Sequence, residues 1–330
     1  MSNGFHRRGL PLLLLAATIA IVTFVDLPGG RRWLEVLQDA GHVPAFALAT
    51  LCLARLRGGA ASWPRLLVTA ALALLLGALV EGAQHFLQRD ASLGDLGRDA
   101  CGALAAVALL RLSATGPAPS WRSRLPALGL LAAALALAAL PLAECARAYA
   151  HRRAQFPLLA DFASPLDLYF LRPVDPPFQR QCLQAGAAGA PRCLRWALSA
   201  PSDANTWAGP GFEEPPADWR GWGELCIDLS NPNAQPFTLV VALQDRAYDG
   251  QSSDRHTGLW PVAARSTRVL CLPLADLRRT PGGRELDLGH IARLAIAQDD
   301  AGHQPGFRLH RVWLRPSLAP PDADAMVARP

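Results

Sequence analysis

The chain has 330 residues, enough for two domains, with 51% hydrophobic residues and a formal net charge of +5. All 32 basic residues are arginine, spread without a basic block, so nucleic-acid binding has no electrostatic footprint. The seven cysteines show neither CxxC nor a His/Cys zinc spacing, and no dense acidic loop suits a hard cation, so no metal or cofactor is expected.

Residues 9 to 27 form an apolar run preceded by Arg7 and Arg8. A basic flank before an apolar core resembles a signal peptide, but the Asp26–Arg32 stretch is a poor cleavage site. An uncleaved first membrane helix is therefore expected. Residues 65 to 87 and 125 to 143 are further runs of roughly 20 residues, the length that spans hydrocarbon. Two shorter runs, 40 to 54 and 99 to 113, cross only if packed inside a bundle, for which their alanines and Gly102 are suited. Five spans, or three without the weak pair, place residues after 145 outside when the basic amino terminus stays inside.

Between the apolar runs lies EGAQHFLQRDASLGDLGRDACG, from Glu81 to Gly102. Ionisable groups are costly at membrane depth and mark sites there. Glu81, Gln84 and Gln88 share one helical stripe, and Asp95, Asp99 and Gly102 share another. With His42 and Phe46 from the preceding helix, these groups are expected to converge near the outer interface. His42, Glu81, Gln84, Arg89, Asp95 and Asp99 are the candidate membrane-site residues. A His beside carboxylates has the chemistry for acid–base work, and Arg89 for gripping a phosphate or carboxylate headgroup. The plainer reading is a structural network that ties short helices together. No Gly-x-Ser-x-Gly nucleophile pattern is present to support hydrolysis.

The set Glu81-x-x-Gln84, Arg89-x-x-Ser92-x-x-Asp95 and Asp99-x-x-Gly102, preceded by His42 and Phe46, resembles the VanZ-like membrane domain over roughly residues 10 to 115. The chain departs from that pattern at Asp99, where the family usually has Asn. The resemblance implies a helical membrane bundle and assigns no reaction to it.

The chain changes character after about residue 155. Strand-like runs occur at 193–200, 223–231, 237–245, 267–274, 291–298 and 307–316, separated by turn signals such as Asn231-Pro232-Asn233 and Pro281-Gly282-Gly283. Many short strands without helical intervals point to an antiparallel β-sandwich. Cys182 and Cys193 bracket a ten-residue loop and form the expected disulfide, while Cys226 and Cys271 lie mid-strand, to pair or simply to be buried. The Pro/Ala/Asp-rich tail after Pro316 is expected to be disordered.

This half resembles a carbohydrate-binding module of the galactose-binding-like jelly-roll type. The resembling elements include Ala160-Asp161-Phe162, Asp218-Trp219-Arg220-Gly221-Trp222, Leu225-Cys226-Ile227-Asp228-Leu229, Gln244-Asp245-Arg246, Asp254-Arg255 and Leu270-Cys271-Leu272-Pro273-Leu274. His310 stands in the closing strand where that family more often has Asp. The resemblance implies sugar contacts from Trp207, Trp219, Trp222 and Trp260 by stacking, and from Asp245, Asp254 and Arg255 by hydrogen bonding. Taken singly, each Trp is better read as packing in the core of a sandwich than as a ligand contact.

The expected architecture is an α-helical transmembrane bundle of four or five helices plus an all-β jelly-roll sandwich. The expected boundaries are a VanZ-like domain at 1–115, a linker with a fifth helix (about 125–143) at 116–154, the jelly roll at 155–317 and the tail at 318–330. The expected role is that of a multi-pass protein of a bacterial inner membrane, its carboxy-terminal domain outside, engaging a membrane lipid and recognising a glycan or cell-wall precursor without catalysis. The alternatives are a membrane enzyme acting on a lipid-linked saccharide through His42, Glu81, Arg89 and Asp95, and a structural scaffold.

Overall fold

The computed structural model describes residues 2–24, 30–86, 93–114, 121–173, 178–182, 194–198, 207–299 and 306–316. It divides into two compact units, Met1–Ala146 and Arg147–Pro330, with the boundary inside a single helix.

The first unit is helical. Its elements are α1 (Ser2–Phe24), α2 (Arg32–Ala40), α3 (His42–Arg57), α4 (Trp63–Phe86), α5 (Leu93–Leu112) and the long α6 (Trp121–Gln155). Three stretches, Arg32–Arg57, Trp63–Gly82 and Arg124–Gln155, are long and apolar enough to cross a membrane. The run expected to be the first span forms a helix whose apolar part, Gly9–Phe24, is shorter than these. The segment at 40–54, short as an apolar run, is instead part of the 26-residue stretch. The reason is Gly41, which keeps right-handed helical angles (φ −60°, ψ −24°) and donates its N–H to Leu37, so α2 runs into α3. Gly102 lets α5 approach α3 closely, since a Cβ there would collide with the Val43 carbonyl and stand 3.0 Å from the Ala47 nitrogen.

The second unit is an antiparallel sandwich. Its strands are β1 (Leu158–Ala160), β2 (Leu171–Pro173), β3 (Phe178–Cys182), β4 (Leu194–Leu198), β5 (Pro210–Glu213), β6 (Trp222–Asn231), β7 (Phe237–Asp245), β8 (His256–Val262), β9 (Ser266–Pro273), β10 (Ile291–Gln298) and β11 (Arg308–Pro316). One sheet has the order β3-β4-β11-β6-β9, with β1 also on β11; the other has the order β2-β5-β10-β7-β8. From β4 onward the chain alternates between sheets except at the β7–β8 hairpin, which is the jelly-roll connectivity. The core lies between the layers, with Leu225, Ile227 and Leu229 from one sheet against Leu239, Val241 and Leu243 from the other, all without exposed surface. Each such side chain contributes about 1.5–3 kcal/mol on burial.

The last turns of α6 belong to this second unit. Tyr149 donates to Glu214 (2.8 Å), His151 bonds Asp167 (2.8 Å), and the Arg152 guanidinium stacks 3.9 Å above the Phe170 ring centre. The disulfide observed among the described residues joins Cys226 to Cys271 across paired positions of β6 and β9. The expected Cys182–Cys193 pair and the tail at 318–330 lie outside what is described: Cys193 and the tail wholly, Cys182 in its side chain.

Candidate functional site

Two places carry the residues singled out from the sequence. In the helical unit, His42 opens α3 and Asp99 lies on α5. Their side chains meet with Nδ1 to Oδ1 at 2.9 Å, and the Asp99 side chain is 1% exposed. Gly77 on α4 makes the room: a Cβ there would stand 2.6 Å from Asp99 Oδ2 and 3.0 Å from the Phe46 ring. Phe46, one turn beyond His42, lies parallel to the imidazole with ring centres 6.4 Å apart. A neutral imidazole that donates Nδ1–H to Asp99 keeps its lone pair on Nε2, the arrangement of an oriented proton acceptor.

Asp95 enters through a residue the sequence reading passed over. Arg98, on α5, bonds Asp39 on α2 (2.9 Å) and also Asp95 one turn back. The pairing of Arg98 with Asp39 had no local signal, because the two lie 59 residues apart, whereas Asp95 stands at the i, i+3 spacing that brings helical side chains together. Glu81 is half-buried on α4, while the side chains of Gln84 and Arg89 lie outside the described residues. The structure therefore brings His42 and Asp99 together directly, with Asp95 in a neighbouring ion-pair network.

In the second sheet, strand alternation separates the side chains that face the other sheet from those on the opposite face, which along β7 and β10 are also largely buried, Val240 at 0% and Ala242 at 2% exposed. Opposite the core face of β7 lie Val240, Ala242 and Gln244. The register sets Ala242 beside Thr257 on β8 and Ala295 on β10, and Ala295 beside Gly211 on β5. Small side chains thus run in one row across four strands. Arg293 borders the row in an ion pair with Glu213 (2.9 Å), its guanidinium lying over Gly211, where a Cβ would stand 3.0 Å from Nη2.

Trp207 and Arg255 continue this face on strand parity. They meet with the Arg255 guanidinium carbon 4.7 Å from the Trp207 ring centre, both half-buried. An indole face with a guanidinium alongside offers an apolar platform and fixed hydrogen-bond donors in one place.

The other sandwich candidates have structural partners of their own. Trp219 is 0% exposed and donates its indole N–H to the Pro216 carbonyl (2.7 Å). Trp222 packs against the core and meets Phe156 edge-on at 5.6 Å. Trp260 shares its parity with the core residue Leu239 opposite it and covers Gly258, whose missing side chain gives the indole its place.

Asp245 and Asp254 both serve Arg284. Asp245 takes two of its nitrogens (2.6 and 3.0 Å), Asp254 takes Nε (2.5 Å), and Asp245 also accepts the Asp287 N–H (2.8 Å). Burial works against charge on Asp245, but Arg284 and the backbone N–H groups outweigh it and hold the carboxyl below its usual range. Arg284 lies 39 residues from Asp245 and carried no sequence signal. Among the described residues, the one group of ligand atoms close enough to share a metal is Glu224, Cys226 and Cys271. Its two sulfurs are joined as the disulfide, so no thiolates are on offer.

No family model matches the sequence, and no curated protein matches it. Among solved structures the chain is similar to an exo-beta-agarase, at 16% identity and a TM-score of 0.38, over 50% of this chain and 25% of that one. It thus spans a quarter of that enzyme's length. It is similar to a family 11 carbohydrate-binding module from Clostridium thermocellum in complex with a beta-1,3-1,4-mixed-linked tetrasaccharide, at 16% identity and a TM-score of 0.36, over 49% of this chain and 95% of that one. A family 29 carbohydrate-binding module from Piromyces equi is similar at 12% identity and a TM-score of 0.25, over 45% and 91%. The jelly-roll assignment rests on the strand order rather than on these scores.

Proposed function

We propose that this is a multi-pass protein of a bacterial inner membrane whose VanZ-like helical bundle carries a glycan-recognising jelly roll on the outer side. The observation that carries the recognition role is the Trp207–Arg255 pair beside the row of small residues on β5, β10, β7 and β8. A pyranose ring has an apolar C–H face and an equatorial fringe of hydroxyls. A Trp face suits the first, and the donors of Arg255 and Arg293 suit the second. The three long apolar stretches and the basic flank of α1 support the membrane reading and its orientation. Full-length protein in detergent, applied to an array of bacterial polysaccharide and cell-wall glycans, should bind a defined subset. Trp207→Ala should weaken that binding at least about tenfold. An array without any hit would remove the recognition role.

A second reading, a membrane enzyme acting on a lipid-linked saccharide, is favoured by one observation: the buried Asp99 carboxylate orienting His42. Under it, His42→Gln abolishes turnover of such a saccharide while the protein still accumulates in the membrane. Under a purely structural role the protein itself is lost.

A further inference from the structure

From Val43 to Val80, and again from Ala100 to Ala143, the chain has no Asp, Glu or His. Those same stretches carry six arginines: Arg55, Arg57, Arg65, Arg111, Arg122 and Arg124. The fold gathers three of them around the loop between α3 and α4. Arg57 donates to the Thr69 hydroxyl (2.9 Å), and Arg65 donates to the Arg57 carbonyl (2.9 Å). Arg111, in the last turn of α5, reaches the Ala61 carbonyl (3.5 Å), and its Nε is buried without an acceptor among the described residues. The loop itself turns on Gly58 and Gly59, both at positive φ (59° and 84°). The Arg65 guanidinium occupies the space a side chain on Gly59 would need.

Three guanidinium groups thus share one loop with only carbonyl and hydroxyl partners shown. Like charges at the edge of an apolar bundle repel, and an anion between them relieves the repulsion. The planar fork of arginine matches phosphate oxygens two at a time. Apolar side chains stand exposed beside the site: Leu67 and Val68 follow Arg65, and Leu109 precedes Arg111. A ligand with a phosphate joined to acyl chains satisfies both surfaces. We infer that Arg57, Arg65 and Arg111 with the Gly58–Ala61 loop form a binding site for the phosphate of an anionic phospholipid headgroup. The inference rests on the membrane-spanning reading proposed above.

The test reconstitutes the full chain into nanodiscs of phosphatidylcholine mixed with phosphatidylglycerol, extracts it in mild detergent and measures the retained lipid. Wild type should retain phosphatidylglycerol above its share of the bilayer. Arg111→Gln alone should lower that enrichment by about fivefold, the ratio expected for one basic residue at an anionic surface. Replacing all three arginines by Gln should bring it to the bulk ratio, and replacing all three by Lys, which keeps the charge and loses the fork, should leave an enrichment between the two. Wild-type protein that enters the nanodisc yet retains lipid in the bulk ratio overturns the inference, as does a triple Gln variant as enriched as wild type. Loss of the enrichment to inorganic phosphate at equal phosphorus would assign the site to the free anion instead of the headgroup. Failure to enter nanodiscs at all would count against the membrane reading, and is distinguishable from these results.

Discussion

Asp245 has the chemistry of a sugar ligand and the surroundings of a structural residue. Its side chain is 1% exposed, and both oxygens are spoken for by Arg284 and by backbone N–H groups. Replacing it with Asn strips charge from these bonds and leaves Arg284 with Asp254 alone. The sandwich should lose about 2–3 kcal/mol, read as an earlier denaturant midpoint for its unfolding transition. Because the folded-state pKa of Asp245 lies below its ordinary value, the unfolded chain takes up the proton first as pH falls. Its contribution is present above about pH 4 and fades as pH drops towards the lower folded value. Asp245→Asn should accordingly flatten the acid limb of the stability profile, while an unchanged limb would assign the acid sensitivity elsewhere. Residue types alone placed Asp245, Asp254 and Arg255 as plausible sugar contacts. What separates Arg255 from the two carboxylates is Arg284, 30 and 39 residues along the chain, and no local pattern encodes that distance.

Elements were legible where burial imposes a period. The runs at 237–245 and 291–298 are β7 and β10 residue for residue, because strands buried on both faces leave short continuous apolar runs between turn signals. The turn at Asn231 was also readable, and its side chain closes it by accepting from Asn233 and donating to Gln235 and Ala263. β8 was not readable, since Gly258 and Pro261 look like a loop. An edge strand tolerates both, because one side needs no ladder partner and Trp260 fills the space above the glycine. β5 hides in the same way behind Pro210 and Gly211.

Two predictions belong at this scale. Gly102→Ala should impair α3–α5 packing by about 1–3 kcal/mol, seen as reduced monodisperse protein after extraction, whereas Gly82→Ala, with open space around it, should extract normally. Removing the Cys226–Cys271 bond by paired Ser substitution frees a 45-residue separation in the unfolded chain and should cost up to about 4 kcal/mol. A reduced sandwich as stable as the oxidised one would contradict this.

For the whole molecule, composition announced two halves, and the structure divides into two units at Ala146 and Arg147. The helical half followed from hydropathy, but the assembly of the Arg32–Arg57 stretch depended on a helical Gly41 that turn statistics do not favour. The jelly-roll order was the step furthest from the sequence, because strand neighbours such as β6 and β11 are far apart along the chain. That order places Trp207, Arg255 and the small residues of four strands on one face, on which the proposed recognition role rests, and sends Trp219 to the core. Hydrogen–deuterium exchange on the full chain, with and without a glycan selected from an array, tests that placement most directly. The account predicts slowed exchange at residues 207–213, 255–262 and 291–298, lost in Trp207→Ala. Protection confined to the opposite sheet, at 222–231 and 308–316, or no protection at all, would contradict it.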